Sequence, residues 1–200
     1  MAMKPFLLLT LLIGCASPQI REGQRLFSGC PGGVNDKATL ARGEFVCKGT
    51  PDPAPFGGNG RSCGSCHMPG DGFGLSVKRI ALLPSHHPLF VTLDEDAVKL
   101  HSDGLIHVVD ADVDGLNEFR QTPKLVHLRS LCDYTGECVA LGLLGDRETN
   151  LCQFSREAVA NHLSKTVNRI PDVDFKVPTD RECDALVAYM LSNLVARSSQ

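Results

Sequence analysis

Runs of apolar residues change period along the chain, and each change marks an element. Lys4 precedes an apolar run from Phe6 to Ile13, well short of the roughly 20 residues a membrane-spanning helix needs and of a length suited to an export signal. After a polar connector at Ser17 to Gln19, Ile20 to Phe27 predicts a short helix closed by Ser28-Gly29, and Lys37 to Val46 predicts a second. Prolines and glycines crowd Gly49 to Gly60 and exclude a regular helix or central strand there. Leu89 to Leu93 reads as a short extended piece, Asp94 to His101 as a helical turn or two, and Leu105 to Val109 as an apolar extended run. Further on, Ser155 is placed to cap a helix running to Thr166, with Val159, His162, Leu163 and Thr166 on one face and Pro171 beyond it. Thr179-Asp180-Arg181-Glu182 has the capping-box arrangement, and Leu186, Met190 and Leu194 continue the stripe of a last helix. The pattern predicts a mainly α chain, a single domain over residues 20–200 with long loops.

Cysteine usage and charge refine this picture. The first apolar run ends in Leu12-Ile13-Gly14-Cys15, which resembles the bacterial lipobox. Residues 1–14 then read as a lipoprotein signal peptide, Cys15 as the acylated residue, and 15–19 as anchor and linker. An ordinary cleaved signal with an incidental cysteine is the alternative. Ala16, where an aspartate would imply inner-membrane retention, favours the outer membrane with the protein facing the periplasm. Nine cysteines in 200 residues would be unusual in a reduced cytosolic protein and fit an oxidising compartment. With Cys15, Cys63 and Cys66 set aside, six remain. Proximity pairs Cys30 with Cys47, Cys132 with Cys138, and Cys152 with Cys183, with scattered free thiols as the alternative. A formal net charge of −3 offers no basic stripe, so nucleic acid is excluded as a partner.

The sharpest chemistry is Cys63-Gly64-Ser65-Cys66-His67. Two thiols separated by two small residues present both sulfurs from one turn to the vinyl groups of a porphyrin, and the histidine directly after them meets the iron; this is the pattern of covalent haem c attachment. The rivals are a thioredoxin-like redox pair, which belongs in a strand-rich α/β pattern, a zinc half-site, which needs a second ligand pair, and another disulfide. Arg61 is placed to pair with a haem propionate in two-point geometry. Turn formation alone would also explain the glycines around it.

The segment Gly57-Gly58-Asn59-Gly60-Arg61-Ser62-Cys63-Gly64-Ser65-Cys66-His67 resembles the haem loop of the bacterial di-haem cytochrome c peroxidase family. Phe119-Arg120-Gln121-Thr122-Pro123-Lys124-Leu125 resembles the segment which that family passes over its haem, and Ser155 to His162 and Asp184 to Leu191 resemble its closing helices. The resemblance covers roughly residues 40 to 195 and implies a cytochrome c-like domain around one covalent haem. The departures carry functional weight. The family uses two haems, and this chain has one CxxCH. The family's distal methionine or tyrosine follows the crossing segment, where this chain has Tyr134-Thr135 and no methionine.

The sixth iron position is therefore open. His162, on the apolar face of its predicted helix, is the first candidate, weighed against a buried histidine satisfied by a hydrogen bond. His127, following the crossing segment, is the second. Met190 lies on a core stripe, Tyr134 comes last, and Met68 is too close to His67 to reach the opposite face. His86, His87, His101 and His107 have no assigned role. Asp110-Ala111-Asp112-Val113-Asp114-Gly115 imitates the start of a calcium loop, but Gln121 stands where the bidentate glutamate belongs, so a polar turn is the simpler reading. The functional expectation is a lipid-anchored cytochrome passing electrons among periplasmic redox proteins. A peroxidase-like haem enzyme with an open iron site and a structural or sensing haem lipoprotein are the rivals.

Overall fold

Ser17 accepts the Ile20 N–H with its side chain and starts helix α1, Pro18–Ser28, with proline at a position where no amide is needed. Gly29, in the left-handed conformation, ends it by donating to the Arg25 carbonyl. The structure is a computed structural model that describes residues 16–49, 54–91, 97–110, 116–141, 148–192 and 195. The signal segment 1–14, Cys15, Leu194 and the aspartate turn beyond Asp110 lie outside the described residues. The expected linker 15–19 needs correction, because Pro18 and Gln19 belong to α1. The predicted helix over Lys37 to Val46 is shorter too: α2 is Asp36–Arg42, capped by Asn35 and terminated by left-handed Gly43.

The chain is mostly helical with long loops. α3 is Val77–Ile80 and α4 is Ala97–Asp103. Strand β1, Leu105–Asp110, pairs antiparallel with β2, Leu116–Gln121, in a two-stranded ribbon that includes the first part of the crossing segment. α5 is Leu128–Leu131, and β3, Glu137–Leu141, pairs antiparallel with β4, Glu148–Asn150. Leu89 does not stand in an extended piece as expected; Pro88–Phe90 forms a 3-10 turn whose first position suits the proline.

Two long helices close the fold. α6 is Leu151–Leu163, with Asn150 as its cap accepting from Cys152 and Gln153 N–H. Ser155, expected to be the cap, lies inside the helix and donates its hydroxyl back to the Leu151 carbonyl at 2.7 Å. α7 is Asp180–Met190, and its capping box is present in both directions between Thr179 and Glu182. α1 packs lengthwise on α7. Gly23 makes the approach possible, because a Cβ there would overlap the Ala185 carbonyl.

Buried apolar side chains gather in two clusters. The larger holds Leu26, Phe27, Phe56, Val159, Leu186 and Tyr189; the smaller holds Met68, Leu75, Ile80, Leu89 and Leu100. Each fully buried side chain of this kind contributes about 1.5–3 kcal/mol. Three disulfides join Cys30 to Cys47, Cys132 to Cys138 and Cys152 to Cys183. The last ties the first turn of α6 to the first turn of α7. Among the described residues no helix is long and apolar enough to cross a membrane.

Candidate functional site

The CxxCH motif lies at the seam between the two clusters: Cys63 packs against the larger and Cys66 against the smaller. Ser62 starts the turn. Its N–H donates to Ser65 Oγ at 3.0 Å, and its hydroxyl reaches the Ser28 carbonyl at 3.2 Å, fastening the motif to the end of α1. Cys63–Ser65 then form one 3-10 turn, and the Cys66 and His67 amides both donate to the Cys63 carbonyl. Gly64 lies against the Phe45 ring, where a Cβ would come within 2.7 Å of a ring carbon. Among the eight described cysteines, six are bridged, and Cys63 and Cys66 are the two free thiols. Burial, reinforced by the neighbouring Cys66, pushes the Cys63 thiol up to about 12, and burial raises Cys66 as well. Both are protonated at neutral pH, the reverse of the low-pKa thiolate that a thioredoxin-like pair uses.

A tight loop directly after His67 holds its ring in place. Met68 N–H donates to the Gly74 carbonyl and Phe73 N–H to the Met68 carbonyl, closing that loop with Gly72 and Phe73 both left-handed. Asp71 braces it by accepting the Ser76 N–H at 2.8 Å. The loop brings the Phe73 carbonyl to 2.8 Å from His67 Nδ1. A carbonyl only accepts, so Nδ1 carries the proton and Nε2 keeps its lone pair, the form in which an imidazole binds a metal. Burial lowers the His67 pKa, opposed by the carbonyls of Phe73 and Pro123. Pro123 belongs to the crossing segment, so that segment does meet the motif. Thr122 and Lys124 also pack on Gly74. Phe27 flanks the imidazole with ring centres 6.1 Å apart, inside an edge-to-face group with Phe45, Phe73 and Tyr189.

His162 comes from the far end of the chain to the same place. Its ring is half-buried on the last turn of α6. Burial first, then the charges of Arg61, His67 and Arg169, lower its pKa to about 4, so the imidazole is neutral. The turn before the motif fixes it: Asn59 Nδ2 donates to the His162 carbonyl at 3.0 Å, Asn59 N–H donates to the Leu163 carbonyl, and Asn59 Oδ1 accepts the Arg61 N–H. Arg61 itself donates from Nη2 to the Leu89 carbonyl at 2.8 Å and from Nε to the Pro88 carbonyl at 3.3 Å. Those bonds fix the guanidinium and leave Nη1 for a further acceptor. Two buried hydroxyls without a hydrogen-bond partner, Thr122 Oγ1 and Ser164 Oγ, belong to residues next to Pro123 and close to His162.

These residues fit a covalently held haem: two protonated thiols on one turn, an imidazole with Nε2 left for a metal, and an oriented guanidinium. Among the described residues no group of three His, Cys, Asp or Glu side chains is placed to hold a metal ion. The other candidates lie elsewhere. His127 is exposed, Tyr134 is 92% exposed, and Met68 and Met190 are buried in the smaller and larger clusters. His87 and His101 pack on Phe90, and His107 stacks on Phe119. Sequence reasoning missed Phe73, whose contribution is a main-chain oxygen, and Asn59, whose three-way bonding has no signature short of the fold. No protein-family model, curated protein or solved structure matches this chain.

Proposed function

We propose that this chain is an exported mono-haem c-type cytochrome that passes electrons between periplasmic redox proteins, with Cys15 as a lipid anchor in the outer membrane. The observation that carries the reading is the contrast among the cysteines. In a chain where every other described cysteine is bridged, the two of CxxCH stay as thiols beside a histidine with its Nδ1 already bonded. Cys63 and Cys66 would hold the haem by thioethers and His67 would ligate its iron. When bound, the haem supplies an iron that exchanges one electron between its ferrous and ferric states.

The protein's own part is to orient and to exclude water. The Phe73 carbonyl fixes the His67 ring and makes it a stronger donor. The Phe27, Phe45, Phe73 and Tyr189 rings wall that side with apolar surface, and the Arg61 guanidinium is available to a carboxylate. The disulfides support an oxidising, extracytoplasmic compartment.

Mass spectrometry and the pyridine haemochrome of the exported protein test this. Expected are one added haem per chain, a haemochrome of the two-thioether type, and loss of the added mass in Cys63→Ala with Cys66→Ala. A chain without added mass, its two thiols free or joined to one another, would remove the reading. Acyl mass on Cys15 is read in the same spectrum.

A further inference from the structure

His162 ends a helix that one side chain fastens to the haem-binding turn. Asn59 uses its main-chain N–H, its Nδ2 and its Oδ1 on Leu163, His162 and Arg61 in turn. A single amide therefore sets the last turn of α6 against Arg61-Ser62-Cys63. Gly58 permits the approach twice over. It has φ of +89°, and a Cβ there would overlap the Leu163 carbonyl. A loop held this tightly to a helix end needs a reason, and the residue it presents is a histidine.

The simplest account of that histidine is structural: a buried imidazole satisfied by a hydrogen bond. No such bond is present: the ring nitrogens of His162 have no hydrogen-bond partner among the described residues and stay open to solvent, on a half-buried ring near Arg61 and His67. With no protein partner and without being sealed from solvent, those nitrogens are available to an incoming group. A neutral imidazole with an unused lone pair is what a ferrous or ferric iron takes as a nitrogen ligand.

We propose that His162 is the second axial ligand of the haem iron and that Gly58 and Asn59 are the residues that position it. The proposal rests on the haem reading above and deepens it. Two nitrogen ligands fill the iron's coordination, which suits electron exchange and leaves no vacant position for peroxide.

The test uses the exported, haem-loaded full-length protein. Electron paramagnetic resonance and near-infrared magnetic circular dichroism of the unaltered chain are expected to give the low-spin ferric signature of two histidines. That measurement can overturn the proposal even if variants fold poorly, because a high-spin spectrum or the signature of another ligand pair rules it out. In His162→Ala the low-spin signal should be lost with the haem mass retained, and imidazole added to the solution should restore it. A low-spin spectrum that survives His162→Ala overturns it as well. Asn59→Ala should give a mixture of spin states that imidazole drives back to low spin, which a merely structural role would not produce. Absence of haem mass from the unaltered chain would sink the haem reading itself, and that failure is seen by mass, not by spin state.

Discussion

His67 Nδ1 and the Phe73 carbonyl oxygen lie 2.8 Å apart, six residues apart in sequence. The contact exists because the chain turns back on itself through two consecutive left-handed residues, Gly72 at φ of 64° and Phe73 at φ of 57°. Phe73 tolerates that conformation because its ring is buried against Phe27 and Tyr189.

Gly72→Ala would place a second side chain in the left-handed region, at a cost of about 1–2 kcal/mol. Chemical denaturation should show that loss. Where haem is bound, slackening the Phe73 contact should weaken the donor strength of His67 and move the reduction potential upward. A potential equal to that of the parent would mean that the carbonyl does not tune the ring.

Gly23→Ala introduces a Cβ into the Ala185 carbonyl, a main-chain atom that no rotamer change can move aside. α1 and α7 must separate, and an overpacked contact of this type costs about 1–3 kcal/mol. Thermal unfolding monitored by circular dichroism reads it. An unchanged midpoint would contradict the close packing of the two helices.

The bridges should differ in worth. Cys152–Cys183 closes a sequence separation of 31 and Cys132–Cys138 one of 6. On chain entropy the first stabilises by about 3–4 kcal/mol and the second by about 2 kcal/mol. Paired serine substitutions and urea denaturation under oxidising conditions should reproduce the order, and equal losses would point to strain or residual structure in place of loop entropy.

Asp174 accepts the Ile170 N–H and the Thr166 hydroxyl, which hold its carboxyl below the ordinary value of 3.8. A carboxyl with a lowered pKa in the folded state stabilises the protein above its unfolded value and loses that contribution as pH falls through the folded one. Asp174→Asn should therefore be less stable than the parent at neutral pH, with the gap narrowing below about pH 3.8. A gap independent of pH would assign the effect to geometry and not to charge.

The parts of the fold legible in the sequence were those with local causes. Gly29 ends α1 because no other residue takes the left-handed cap so cheaply, and Thr179 with Glu182 form a cap readable from four residues. Where two local solutions compete, sequence reasoning chose wrongly. Asn150 and Ser155 are both good caps, and the one used is Asn150, which accepts two amides and puts Cys152 in the first turn of α6, where it is bridged to Cys183. Pro88 turned an apolar run into a 3-10 turn that its hydrophobicity did not announce. At the site, CxxCH is legible because its chemistry depends on spacing alone. The Phe73 oxygen and the Asn59 amide are not, because a main-chain acceptor looks alike at every position and a three-way bond joins segments about a hundred residues apart.

α6 is riveted at its beginning by Cys152–Cys183 and hooked at its end by Asn59. A rod secured at both tips resists sliding and swinging, so rotation of the side chain is the least costly rearrangement open to His162. Cutting the rivet with a reductant would leave the start of the rod held only by its buried apolar face and by Arg156 on Pro178 and Asp180, while Asn59 would still hold the end that carries the imidazole.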